Sequence, residues 1–179
     1  MTITEHIAAV RREMAEATRE SGRSERDIIL VGASKMNDAA ACQEAIAAGV
    51  DALGENRVQE MTAKLAQNAY DGAPLHFIGH LQRNKAADAL AGGFLRIHSV
   101  ESAKLVDVLD RECAKLGVAA EILLEANVSG EESKYGVTPA GLAAATPSPT
   151  EAKLSWKARG STKRYRVQLS TSPSMSKPV

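Results

Sequence analysis

The segment Ile28-Ile29-Leu30-Val31-Gly32-Ala33-Ser34-Lys35 puts an amine at the end of an apolar run. Large apolar residues lead into small ones, and the lysine stands where a buried strand must stop. In α/β barrels and open α/β sheets, ligands sit beyond the carboxyl ends of the strands. A lysine there can form a Schiff base with a carbonyl compound, provided that its surroundings lower its pKa, as burial at a barrel mouth would. The plainer alternative is a solvated lysine that opens a loop. What stands beside it decides between the two.

Polar segments recur at the ends of the apolar runs that follow. They are Gly54-Glu55-Asn56-Arg57-Val58-Gln59-Glu60, His76-Phe77-Ile78-Gly79-His80-Leu81-Gln82-Arg83-Asn84-Lys85, His98-Ser99-Val100-Glu101-Ser102, and Asn127-Val128-Ser129-Gly130-Glu131-Glu132-Ser133-Lys134-Tyr135-Gly136. Polar groups gathered at one end of a parallel sheet form a binding or active face. Several of these residues also have structural readings. Asn56 can cap the helix after it, and Glu55 and Glu60 read as acidic charge at that helix N-terminus. His76 reads as a structural residue within a strand, and Lys134 as a solvated lysine beside Glu131 and Glu132.

The elements that must position these residues alternate. Ile3, Ile7, Val10 and Met14 predict a helix from residue 3 to about 21, stopped at Gly22. A strand is predicted over 28–33, a helix over 38–48, a strand over 50–53, and a helix over 57–69. Then come a strand at 75–79, a helix from about 81 to 91, a strand at 95–99, a helix from Val100 to Leu116, and a strand at 121–128. Pro139 could open a further helix at its first position. Strand–helix alternation with short connections specifies a parallel sheet with right-handed crossovers. Periodicity alone does not choose between a (β/α)8 barrel and an open doubly wound sheet.

Composition sets the outer limits. The chain has 179 residues, enough for one domain with a sizeable core. Formal net charge is zero and aromatic content is 3%, which points away from nucleic acid as a partner. Cys42 and Cys113 form no ligand-spaced cluster, so no metal site is expected and both read as free thiols in a reducing cytoplasm. No apolar run approaches the roughly 20 residues of a membrane span. The character changes near residue 146. Residues 147–179 hold seven basic residues and one acidic, against 15 basic and 21 acidic before them. This segment is rich in Ser, Thr and Pro, lacks apolar periodicity, and is expected to be a disordered or non-native tail.

From about residue 4 to about 145, the chain resembles the pyridoxal phosphate homeostasis protein family, whose fold is similar to the N-terminal barrel of alanine racemase. The resemblance lies in V-G-A-S-K, G-E-N-R-V-Q-E, H-F-I-G-H-L-Q-R-N-K and N-V-S-G-E-E-S-K-Y-G, in that order. It implies an α/β protein of (β/α)8 TIM-barrel type and pyridoxal 5′-phosphate (PLP) as cofactor, held as an internal aldimine on Lys35. It further implies a role in vitamin B6 homeostasis without turnover, and a monomer. Asn56 would bond the cofactor ring or its substituents, His80 would lie near the ring face, and Ser99 and Asn127 would line the pocket. No catalytic residue is carried over. His98 is expected on the pocket wall beside Ser99, and Lys134 is a candidate second amine.

The chain also departs from the family. A (β/α)8 barrel takes at least about 200 residues, and here about five units precede the change near 146. Residues 1–146 are therefore expected to form an incomplete barrel portion. The family's phosphate cup comes from later strands; Ser174-Met175-Ser176 echoes it only faintly, so no phosphate-binding residue is carried over. Two other functions compete: a remnant unable to hold the cofactor phosphate, and a PLP-dependent amino-acid racemase, which would need a second domain.

Overall fold

The computed structural model describes residues 1–138. The helix expected from Pro139, the segment 147–179 and Ser174-Met175-Ser176 lie outside the described residues. Helix α1 spans Ile3–Ser21. Thr2 and Glu5 form a reciprocal capping box at its start, and Gly22, at φ 68°, closes it in the left-handed region that glycine enters without a Cβ clash. Then come β1 (Val31–Ala33), α2 (Ala39–Ala47), β2 (Ala52–Glu55), α3 (Val58–Leu65) and β3 (Leu75–Phe77). A 3-10 turn at Arg83–Lys85 leads into α4 (Ala86–Ala91), followed by β4 (Phe94–Val100), α5 (Ala103–Leu116) and β5 (Glu121–Leu124).

The strands form one parallel sheet in the order β1-β2-β3-β4-β5. This order settles what periodicity left open. Right-handed crossovers that always advance in one direction put every helix on the same face. A doubly wound sheet reverses its order at a switch point. The chain thus winds as a (β/α) barrel does, and its described part is five consecutive barrel units.

Alternation along each strand separates two environments. Leu53, Phe77, Ile97 and Ile122 are buried toward the helices, in one core with Cys42, Met61, Leu90, Leu105, Leu109 and Cys113. Phe77 and Phe94 meet edge to face with ring centres 5.1 Å apart. The other parity makes the inner face. Gly54, His76, Arg96 and Glu121 stand in register across β2 to β5. Arg96 forms an ion pair with Glu121, its Nε donating at 2.8 Å. His98, two residues beyond Arg96, lies 3.2 Å from His76 between ring nitrogens.

Several expectations are corrected. The paired part of β2 is Ala52–Glu55 rather than 50–53, because Leu53 and Glu55 register on Leu75 and Phe77. Glu55 is therefore a buried strand residue, not a helix N-terminal charge. Glu60 does lie in the first turn of α3, but it faces Lys64 and the backbone of Met36. Asn56 does not cap α3; Arg57 holds that position, with no side-chain bond. Val100 ends β4 rather than opening the helix, and Ser102 caps α5, whose buried face includes Leu105, Val106, Leu109 and Cys113.

Two predictions follow from these contacts. A Cβ at Gly79 would come 2.5 Å from the Asn56 carbonyl oxygen and 2.7 Å from its Cα. Gly79→Ala must push the ends of β2 and β3 apart and is expected to cost about 1–3 kcal/mol, read as a lower urea midpoint. The second concerns pH. Burial, then the charges of His98 and Arg96, push His76 down to about 4 from 6.5, with Glu121 opposing; burial and Arg96 lower His98 too. Between those two values the unfolded chain binds more protons than the folded one, so stability falls as pH drops through that window. The stability read from urea unfolding should fall between about pH 7 and about pH 5, by up to ~1.4 kcal/mol per pH unit for His76, with His98 acting in the same direction. His76→Gln should flatten the slope, and a flat wild-type profile would contradict the assignment.

Candidate functional site

Lys35, Asn56, His80, Ser99 and Asn127 all stand at the carboxyl end of the sheet, as expected. Ser34 N donates to the Gly54 carbonyl at 3.0 Å, continuing the β1–β2 pairing to the residue before Lys35. Lys35 and Asn56 thus end adjacent strands. Lys35 is exposed, contrary to the expected burial. β1 is one of the two edge strands among the described residues, and none of these residues bonds to Lys35 Nζ.

Asn56 is half-buried, and its Oδ1 is shielded from solvent with no hydrogen-bond partner among the described residues. An orphaned acceptor of this kind costs about 1–3 kcal/mol, which a ligand donor would offset. Asn56, Val58, Gly79, His80, Gln82 and Lys85 line one open groove. Gly79 lies so close to Asn56 that a Cβ there would collide with the Asn56 backbone.

His80 forms part of the groove wall. Its Nδ1 is 3.4 Å from a carboxylate oxygen of Glu101, and its ring stacks on Tyr135 with centres 3.9 Å apart and planes 15° from parallel. Tyr135 comes from the loop after β5, which therefore folds over the end of β3. Asn127 organises that loop. Its Nδ2 donates to the carbonyls of Glu131 and Lys134, and its Oδ1 accepts from Ser129 Oγ and Gly130 N. Every polar atom of its carboxamide is engaged in the loop. Ser99 is buried, and its hydroxyl donates to the Gly79 carbonyl, tying β4 to the groove wall. The five residues therefore divide. Asn56 and His80 share the groove, Lys35 stands next to it on the neighbouring strand, and Ser99 and Asn127 hold the loops in place. His98 belongs to the inner face with His76, and Lys134 is exposed.

Behind β1 and β2 lies a buried polar cluster that spacing did not reveal. One oxygen of Glu55 accepts from Ser34 Oγ at 2.7 Å, Lys64 Nζ at 2.7 Å and Tyr70 OH at 2.9 Å. Lys64 Nζ also donates to the Ser34 carbonyl at 2.7 Å and to Glu60 at 2.8 Å. Burial alone would lower the Lys64 pKa, but the bonds to Glu55 and Glu60 outweigh it and hold the ammonium above its ordinary value. The Lys64 bond holds Glu60 below the usual carboxylate range. Burial, then the bond to Glu55, raises the Tyr70 phenol. Burial likewise raises the thiols of Cys42 and Cys113, which are unpaired.

No family model matches the chain. A Pseudomonas aeruginosa protein named pyridoxal phosphate homeostasis protein is 38% identical over 143 residues, which make up 80% of this chain and 62% of that protein. PipY of Synechococcus elongatus, solved with PLP bound, is 35% identical with a TM-score of 0.66, over 84% of this chain and 65% of its own. An alanine racemase from Clostridium difficile, at 20% identity and a TM-score of 0.54 over 65% of this chain and 30% of its own, shares the fold. By sequence and by fold the chain is a relative of the pyridoxal phosphate homeostasis proteins, and it spans less than two thirds of the length of the curated relative matched here.

Proposed function

We propose that this chain binds PLP, with Lys35 as its Schiff-base lysine, and serves vitamin B6 homeostasis as a carrier rather than a catalyst. The observation that carries this is the pairing of two groups at the ends of β1 and β2. Lys35 has an amine with no partner among the described residues, and beside it the Asn56 Oδ1 is an orphaned acceptor. An amine and a neutral polar group at adjacent strand ends suit an aldehyde on a hydrogen-bonding ring. Likeness to a homeostasis protein at 38% identity, against 20% for the racemase, favours carriage over turnover.

PLP supplies an aldehyde. Lys35 would hold that aldehyde through Nζ, whose electron pair is the nucleophile a carbonyl takes up. Asn56 accepts a hydrogen bond without adding charge to the site. His80, held by Glu101 and Tyr135, forms a wall on the β3 side. Ser99 fixes the Gly79 carbonyl, and Asn127 shapes the loop that presents Tyr135.

The test is borohydride reduction of the full chain mixed with PLP, followed by peptide mass spectrometry. A stoichiometric adduct on Lys35 is expected, and it should vanish in Lys35→Ala. Labels scattered over surface lysines would refute the assignment. Asn56→Ala should weaken PLP binding by about three- to tenfold, the loss of one neutral hydrogen bond, measured by titrating the absorbance of the bound chromophore.

A further inference from the structure

The peptide groups on both sides of Lys35 are held from α3. Before it, the Ser34 carbonyl accepts from Lys64 Nζ at 2.7 Å and from Asn37 N at 3.1 Å. After it, Met36 N donates to Glu60 Oε1 at 2.6 Å. The Lys35 carbonyl itself accepts from Asn37 Nδ2 at 3.2 Å. Met36 takes a φ of 63°, a left-handed conformation that a residue with a Cβ adopts only when its surroundings impose it. The three protons of Lys64 meet three acceptors: the Ser34 carbonyl, Glu55 and Glu60. Glu55 is in turn anchored by Ser34 Oγ and Tyr70 OH.

We infer that Glu60 and Lys64 are positioning residues for Lys35: together with Glu55 they form an ionic clamp that fixes the backbone turn from which the lysine projects. This rests on the proposed role of Lys35. None of the three side chains needs to touch the cofactor. A lysine side chain has many rotamers, so the site controls its reach through the backbone from which it extends. The clamp does so with charge-assisted bonds in a buried setting, where they are strong and directional. It also links α3, β1 and β2, so the end of β1 cannot shift unless α3 moves with it.

Glu60 is the position to change. Its side chain is 24% exposed, so its replacement leaves no void in the core, whereas replacing Lys64 would strand the buried carboxylate of Glu55. Glu60→Ala, Glu60→Gln and the unsubstituted full chain are compared by two measurements. The first is hydrogen exchange of the Met36 amide without PLP. Exchange should speed up at least about tenfold in Glu60→Ala, the size expected for one lost charge-assisted bond, and recover most of its protection in Glu60→Gln, which keeps an acceptor. The second is PLP: the equilibrium for the borohydride-trapped Lys35 adduct and the induced circular dichroism of the bound chromophore. Glu60→Ala should weaken the first about tenfold and diminish the second, while its thermal transition stays cooperative; Glu60→Gln should restore both. If Glu60→Ala loses that transition, Glu60→Asp is measured in its place with the same expectations. Should the unsubstituted chain form no Lys35 adduct, the proposed function fails and the clamp has nothing to position. If the adduct forms and Glu60→Ala matches the unsubstituted chain in exchange and dichroism, the clamp alone is overturned.

Discussion

A single buried carboxylate organises this end of the molecule. Glu55 sits on a central strand with no solvent access and takes three donors on one oxygen: a hydroxyl from the end of β1, an ammonium from α3, and a phenol from the segment after α3. A buried charge without partners would be prohibitively costly, so these donors are conditions for the fold as much as consequences of it. Removing one member of such a group costs about 3–5 kcal/mol, because the remaining charge is left unpaired. The geometry of the β1 and β2 ends, where Lys35 and Asn56 stand, depends on this arrangement staying intact.

The sheet supplies the second constraint. Its monotonic strand order sends every helix to one face and leaves the other face to the inner residues. Apolar side chains pack against the helices, and the opposite parity carries His76, His98, Arg96 and Glu121. The two histidines share a ring-to-ring hydrogen bond, which needs at least one neutral ring, in keeping with the lowered pKa of both. Polar groups on the inner face are held by one another, while the residues free to meet a ligand stand above them at the strand ends. Along each strand, packing and ligand-facing positions are thus kept apart.

Much of this was legible in the residues. The helices α1 and α2 and all five strands fall close to their expected places, because Gly22 and the apolar runs are local signals. Boundaries moved where long-range pairing overrode them: β2 extends to Glu55 because it must register on Leu75 and Phe77, and β4 extends to Val100, which pairs with Leu124. Asn127 looked like a pocket residue from its place after β5, yet its carboxamide is occupied by the loop that follows. Tyr135, which stacks on His80 from a distant loop, carried no signal beyond its place in a polar segment.

By itself, the sequence determined the alternation of strands and helices, the lysine at the end of β1, and the set of strand-end polar residues, since each is written in a short stretch of neighbouring side chains. The tertiary structure decided which way the sheet winds, that Glu55 is a buried anchor, that Asn56 leaves its oxygen unpaired, and that Glu60 and Lys64 grip the peptides around Lys35. These depend on strand register and on contacts between residues 21 to 30 positions apart, such as Ser34 with Glu55 and with Lys64. A contact of that span exists only once the chain has closed the intervening loop, and no local pattern records it.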